Sequence, residues 1–399
     1  MMEQTYFRKG FGLKPDIADA LSDDYHSQLI DRIRENGYEL AVGDLTFRLA
    51  REFGFCYGVD RAVEYAYETN RKFPDKRVFL VGEIIHNPHV NCKLEDMGVT
   101  ILRPNDRGRF DFSQIHGEDV VIIPAFGVKV ADFEYLRNLE CVLVDTTCGS
   151  VLNVWKRVEQ YARDGFTAVV HGKHFHEETK ATASQVTKYE GGKYLIVRNM
   201  DEAEILCRFL GEGSDARSLR SCFGHKVSAG FDFERDLERI GIANQTTMLA
   251  SESLAIADRL ERAMVTRYGA DCLPEHFRSF DTICSATQER QDAVKELIDG
   301  DLDVMLVIGG YNSSNTNHLA KLCATKKITY HISDASCIDV QAQSIRYKPT
   351  DSTDEVTEAA WLGESIGKIG ITAGASTPNN KIGEAIERIL LSRDLKVPS

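Results

Sequence analysis

Three cysteines, Cys56, Cys148 and Cys284, stand at one recurring place in this sequence: the end of an extended run, immediately before a helical one. The first stretch reads LTFRLAREFGFC and then YGVDRAVEYAYETNRK. The second reads CVLVDTTC and then GSVLNVWKRVEQYARDG, and the third SFDTIC and then SATQERQDAVKELIDG. A single cysteine is more often a small buried hydrophobe than a ligand. Repetition at one position argues for ligation. A helix N-terminus offers unpaired N–H groups and the positive end of a dipole, which stabilise thiolates and an anionic cluster. The spacing lacks the local CxxC pairs of structural zinc. Three soft thiolates suit an iron–sulfur cluster with one iron left open. Such an iron combines Lewis acidity with electron donation, which favours chemistry on a substrate over plain electron transfer. The other seven cysteines, Cys92, Cys141, Cys207, Cys222, Cys272, Cys323 and Cys337, show no such placement, and core or surface roles suffice for them.

Polar side chains gather at the ends of other apolar runs. YNSSNTNHL (311–319) and TAGAST (372–377) bring hydroxyls and amides, EIIHN brings His86, and HGKHFHEETKAT brings His171, His174, His176, Glu177 and Glu178. Clustered histidines can be metal ligands, surface residues or donors to a phosphate. With thiolates already supplied, phosphate donors plus one carboxyl proton source is the economical reading. A carboxyl beside a dianion and a cluster is expected to have a raised pKa and to deliver a proton. Taken alone, the 311–319 stretch reads more readily as a Ser- and Asn-rich helix cap than as an anion site that adds backbone donors. It contains no GK[ST], which disfavours nucleotide hydrolysis. His89, His116, His225, His276, His318 and His331 read as structural or surface residues.

The elements that must position these groups follow one plan three times. After each cysteine and its helix comes an apolar strand ending on glycine: RVFLVGEIIHNPH, AVVHGKHFHEE and DVMLVIGGYNSSNTNH. The spacing is 26 residues from Cys56 to Gly82, 24 from Cys148 to Gly172 and 25 from Cys284 to Gly309. A further strand in each unit leads into a small or polar turn, in DVVIIPAFGV, IGIANQTTM and KIGITAGAST. Extended and helical runs in alternation are the signature of α/β units. The expected organisation is an N-terminal extension over 1–45 and three α/β domains over 46–145, 146–280 and 281–399. The middle domain carries an insertion near 211–242. The extension reads as polar, with one helix over DDYHSQLIDRIREN and few deep-core candidates, packed on the body or partly mobile. Ligands of parallel α/β sheets sit beyond the carboxyl ends of the strands, and three such ends facing one another would converge on a central site.

The bulk numbers bound the partners. The chain of 399 residues carries a net charge of −13, with 43% hydrophobic and 27% charged residues. That charge argues against nucleic acid as the main partner but leaves room for a small phosphorylated ligand. No apolar run approaches the ~18–20 residues of a membrane span. The N-terminus does not read as a secretory signal, and ten cysteines without one suggest a reducing compartment. The expected location is cytoplasmic, or the plastid stroma for a mature organellar form.

Taken together, GFCYGVDRA, EIIHN, DTTC, HFHEETKAT, NQTT, DTICSATQERQDAV, NSSN and TAGAST resemble the 4-hydroxy-3-methylbut-2-enyl diphosphate reductase (IspH, or LytB) family over about residues 46–390. The long N-terminus and mid-chain insertion are similar to its plant and cyanobacterial branch. The resemblance implies three related α/β domains in pseudo-threefold arrangement around a [4Fe–4S] cluster with one iron not ligated by cysteine. Its ligands would be Cys56, Cys148 and Cys284. Diphosphate contacts would come from His86, His176, Ser313, Ser314, Asn315 and Ser376, with Glu178 as proton relay and Thr246 at the substrate. The implied reaction is reductive dehydroxylation to isopentenyl and dimethylallyl diphosphate, the last step of the methylerythritol phosphate route. Reduced ferredoxin or flavodoxin would be the electron donor. Two departures stand out. Many members have a histidine in a His-Gly-Val turn where this chain has Phe126, which removes one diphosphate donor. Many also have proline where Gly149 follows Cys148, so the backbone is looser there. A quinolinate-synthase-like enzyme shares the architecture and the three cysteines but would favour arginine for carboxylate-bearing substrates. A non-enzymatic redox sensor would require neither Glu178 nor the NSSN turn.

Overall fold

A computed structural model describes residues 5–213, 216–280 and 282–397. Asp281 of the SFDTIC motif, and Ser214 and Asp215 of the insertion, lie outside the described residues. Short Val-, Ile- and Leu-rich runs such as VFLV, VVII and VMLVI are buried along their whole length. Continuous burial of this kind is what a parallel strand covered on both faces requires. Among the described residues these runs assemble into three mainly parallel sheets and one small antiparallel sheet, so the chain is α/β as expected. No described helix is long and apolar enough to cross a membrane.

The chain divides into two compact, discontinuous units. The first takes the described residues of 5–9, 75–82 and 100–284 and contains two of the sheets. One sheet runs in the order Tyr6–Phe7, Val142–Asp145, Val120–Ile123, Val78–Val81, Thr100–Leu102, and is parallel throughout. The other runs Phe277–Ser279, Ile240–Asn244, Thr167–His171, Tyr194–Val197, also parallel. The second unit takes 10–74, 83–99 and 285–397. Its large sheet runs Ile328–Ile332, Val304–Ile308, Lys368–Ala373, Leu45–Leu49, with Glu39–Val42 antiparallel at the edge.

The threefold repeat is present in the helices. Tyr57–Lys72, Gly149–Arg163 and Ser285–Ile298 each begin directly after a repeat cysteine. The strand before each cysteine, however, does not join the sheet of the strand that follows its helix. Leu45–Leu49 lies beside Lys368–Ala373, not in the sheet of the 46–145 segment. Likewise Val142–Asp145 closes onto Val120–Ile123, and Phe277–Ser279 onto Ile240–Asn244. Each repeat therefore straddles two sheets, with the cysteine at the crossing. The sequence period follows the chain, whereas hydrogen bonding follows whichever sheet edge is open.

The first 45 residues are more than an outlying extension. The expected single helix is two, Lys14–Tyr25 and Gln28–Glu35, because Ser27 interrupts the run and caps the second by accepting from the Ile30 N–H. Leu29, Ile30 and Ile33 fall on one face and join the core of the large sheet of the second unit. Burial of each contributes about 1.5–3 kcal/mol. The insertion is anchored in the same way: Leu219, Phe223, Phe233 and Leu237 are buried against the sheet built on Thr167–His171.

Candidate functional site

The repeat cysteines and the polar groups expected at the site follow the carboxyl ends of parallel strands, where the α/β rule places ligands. In the first unit, Cys148 follows strand Val142–Asp145 and is the N-cap of helix Gly149–Arg163. Its N–H donates to Ala125 O at 3.0 Å, and its thiol takes no part in capping. An N-cap normally uses a side-chain oxygen to satisfy the helix, so a thiol there is held for another purpose. At Gly149 a Cβ would meet nothing within 4 Å, so the position of the usual proline has room for a side chain.

His176 is the N-cap of helix Glu177–Ser184, and its Nδ1 accepts from the Glu178 N–H at 3.2 Å. An accepting Nδ1 leaves the proton of the neutral ring on Nε2, the tautomer able to donate to an anion. Phe126, where the histidine of other sequences is replaced, packs edge-on against this ring at 5.7 Å and restricts its orientation. Glu178 is only 1% exposed, and its Oε1 accepts from the Thr246 N–H at 2.6 Å. The Thr246 carbonyl in turn accepts from the Cys284 N–H at 3.5 Å. One residue thus carries the carboxylate on its N–H and a repeat cysteine on its carbonyl.

Gln245 braces this arrangement. Its Oε1 accepts from Thr179 Oγ1 at 3.0 Å and from the Lys173 N–H at 3.2 Å, while its Nε2 donates to Thr247 Oγ1 at 2.8 Å. The repeat glycine Gly172 permits the close approach. A Cβ there would lie 2.7 Å from Thr179 Oγ1 and 3.0 Å from Gln245 Cβ.

In the second unit Cys56 is the N-cap of helix Tyr57–Lys72, again with its side chain unused in capping. Its N–H donates to Ala375 O at 3.2 Å, and the Ala375 N–H donates to Asn315 Oδ1 at 2.9 Å. Asn315 is 2% exposed, and its Nδ2 is buried with no hydrogen-bond partner. A buried amide donor without an acceptor costs about 1–3 kcal/mol, which a bound anion would offset. Ser313 caps helix Ser314–Ala324 by accepting from the Thr316 N–H. The cap reading of this stretch is therefore observed, and it leaves the buried Asn315 amide available to an anion. Ser376 Oγ donates to His86 O at 3.2 Å. His86 Nδ1 bonds Glu83 Oε2 at 2.8 Å, and Asn312 Nδ2 donates to the same oxygen at 3.0 Å.

The expected site residues thus fall into two sets. Cys148, His176, Glu178, Thr246 and Cys284 belong to the first unit, and Cys56, His86, Ser313, Ser314, Asn315 and Ser376 to the second. Glu83, Asn312 and Gln245 are the additions. Each neighbours a residue already singled out, inside EIIHN, NSSN or NQTT, but its role depends on a partner remote in sequence or on strand geometry. His171 is a core residue, with Nδ1 2.8 Å from Ser253 Oγ. His174 stacks edge-on with His225, and burial followed by the His225 and Lys226 charges lowers its pKa. Burial pushes the thiols of Cys141 and Cys207 up to about 11 and that of Cys323 up to about 12, so they stay protonated core residues.

The donor set fits an iron–sulfur cluster. Three cysteines immediately precede helices of 16, 15 and 14 residues, and soft thiolates are the preferred ligands of such clusters. Comparison with known proteins agrees. The family model described as LytB protein matches residues 47–390. A 4-hydroxy-3-methylbut-2-enyl diphosphate reductase of Gloeobacter violaceus is 47% identical over 98% of this chain and 93% of its own length. One from a Synechococcus strain is 47% identical over 96% of this chain and 95% of its own. A solved structure of (E)-4-hydroxy-3-methyl-but-2-enyl diphosphate reductase superposes with a TM-score of 0.53 at 28% identity, covering 86% of this chain and 98% of that one. A reductase structure from Plasmodium falciparum, at 20% identity and a TM-score of 0.63, shares the fold.

Proposed function

The chain belongs to the LytB family, and from that premise we propose that it reduces 4-hydroxy-3-methylbut-2-enyl diphosphate to isopentenyl and dimethylallyl diphosphate. It is an oxidoreductase of isoprenoid biosynthesis by the non-mevalonate route. The observation that carries the reading is the buried Glu178, bonded to Thr246, whose carbonyl holds Cys284. A redox sensor has no need of a buried carboxyl at that place. A quinolinate-type enzyme is excluded by the family match.

Members of the family bind an iron–sulfur cluster. Here Cys56, Cys148 and Cys284 would hold a [4Fe–4S] cluster, with one iron not ligated by cysteine. Bound there, it supplies Lewis acidity toward the allylic C–O bond and electrons one at a time. The balance is two electrons and two protons in: the C–O bond breaks, a C–H bond forms, and one water leaves. The electrons come from reduced ferredoxin or flavodoxin.

The protein's own groups do the rest. Asn315 Nδ2 and the N-terminus of helix Ser314–Ala324 offer uncharged donors to the diphosphate. His86, His176, Ser313, Ser314 and Ser376 complete the anion contacts. Glu178 keeps a proton at its carboxyl, out of bulk water, for the departing hydroxyl or the allylic carbon. Thr246 fixes that carboxyl through its N–H and adds a hydroxyl at the substrate.

Glu83 orients the His86 ring. Glu83→Gln is expected to raise KM for the diphosphate about tenfold, matching the ~1.5 kcal/mol of a charge-assisted hydrogen bond, with little change in kcat. Steady-state kinetics on the variant check this, and an unaltered KM would remove Glu83 from the binding account.

The reading as a whole is tested anaerobically. Purified protein is reduced with dithionite and a viologen mediator, and 4-hydroxy-3-methylbut-2-enyl diphosphate is added. Formation of both C5 diphosphates is expected. A cluster-bearing protein that leaves this substrate untouched would overturn the assignment.

A further inference from the structure

Arg290 is a cation placed where no substrate contact explains it. It sits in the second turn of helix Ser285–Ile298, the helix that begins directly after Cys284, and is 3% exposed. Its Nη2 donates to Gly54 O at 2.7 Å and to Phe55 O at 3.2 Å, the two carbonyls immediately before Cys56. Its Nη1 donates to Ala286 O at 2.9 Å, two residues after Cys284. Its Nε is buried and has no hydrogen-bond partner among the described residues.

Among the described residues no carboxylate forms an ion pair with this guanidinium. Asp60, in the first turn of helix Tyr57–Lys72, feels its charge only as the smallest of several influences. Taking a permanent cation out of water costs several kcal/mol unless an anion compensates it, and carbonyl oxygens offset only part of that. An anionic group bound nearby would supply that compensation. Two residues from the clamped carbonyl of Gly54 is Cys56.

The turn itself is built to be held. Gly54 has φ +74°, and a Cβ there would lie 2.9 Å from Asn379 Oδ1 and 3.3 Å from Thr377 O. The Gly54 N–H donates to Ala373 O and the Cys56 N–H to Ala375 O. Those two bonds fix the N–H side of the turn, and Arg290 holds its carbonyl side at Gly54 and Phe55.

We propose that Arg290 is a positioning residue for the iron–sulfur cluster: its forked guanidinium sets the turn that presents Cys56, and its buried charge raises the cluster's reduction potential. The inference rests on the cluster reading above. A fixed cation favours the more negative, reduced state, and net charge around a cluster is one of the levers on its potential. The fork matters separately from the charge: Nη2 holds the Gly54 and Phe55 carbonyls while Nη1 holds Ala286 O, a planar two-nitrogen span that the single ammonium of lysine does not reproduce.

The two parts separate in two variants, Arg290→Lys and Arg290→Met, purified anaerobically beside the unaltered protein. Iron per chain, loss of iron to a chelator and the midpoint potential from a redox titration followed by electron paramagnetic resonance are measured, with circular dichroism for the fold. Arg290→Met is expected to move the midpoint to more negative potential and to lose iron at least about tenfold faster, as outer-shell changes at metal sites do. Arg290→Lys is expected to keep the potential but share the faster iron loss. Equal negative shifts in both variants would overturn the charge role. Folded variants with unchanged potential and unchanged iron retention would overturn the whole inference. If Arg290→Met does not fold, Arg290→Gln replaces it in the potential measurement, and the Lys variant decides the positioning role by its iron loss. Unaltered protein that takes up no iron would instead overturn the cluster reading on which this one stands.

Discussion

Replacing Cys56 by serine is expected to leave a folded protein that has lost its iron–sulfur chromophore and more than about 100-fold of its activity, beyond the 10–100-fold typical of outer-shell changes. The fold should survive for a local reason. Cys56 is the N-cap of helix Tyr57–Lys72 and its thiol makes no capping bond, so serine, a preferred N-cap, costs the helix nothing. The backbone bond from residue 56 to Ala375 O is independent of the side chain. What disappears is the soft thiolate, which a hydroxyl does not replace as an iron ligand. Iron and sulfide content, visible absorption and circular dichroism on the same sample check the expectation. A Cys56→Ser protein with full cluster content and full turnover would remove Cys56 from the ligand set.

Glu178→Gln is expected to cut turnover by about 10²- to 10⁴-fold, the usual contribution of a positioned proton donor. The amide oxygen of glutamine can still accept from the Thr246 N–H, so the 2.6 Å bond and the Thr246 carbonyl that holds Cys284 should persist. Cluster content and substrate affinity are therefore expected to stay close to those of the unaltered protein. This separates proton delivery from assembly. Single-turnover kinetics on cluster-loaded enzyme, with iron measured in parallel, give the comparison. Unchanged turnover in a fully loaded variant would favour a redox protein in which Glu178 has no chemical task.

The two variants act on different units of the fold, and the sequence treats them differently. Cys56 is legible because its setting is local: an extended run, a thiol, then a helix, repeated at Cys148 and Cys284 with a glycine 24 to 26 residues later. Glu178 becomes specific only through Thr246, 68 residues downstream. Phe126 is readable as a departure from its relatives, but its edge-on contact with His176 belongs to tertiary packing. The N-terminal helices show the converse error. Their polar composition suggests an extension, yet Leu29, Ile30 and Ile33 lie on one face and enter the core.

By itself the sequence determined the α/β class, the threefold period, the cysteines at helix starts and the polar clusters at strand ends. These are properties of single strand–turn–helix units, set by side-chain periodicity and turn chemistry within about 30 residues. Only the tertiary structure decided which sheet each cysteine-bearing strand joins, so that Phe47 lies opposite Ile369. It alone decided that Ala375 links Cys56 to Asn315, and that Arg290 closes on Gly54 and Phe55. Backbone N–H and C=O groups are the same in every residue, so their long-range partners are chosen by the packing of whole elements and leave no mark in the local pattern.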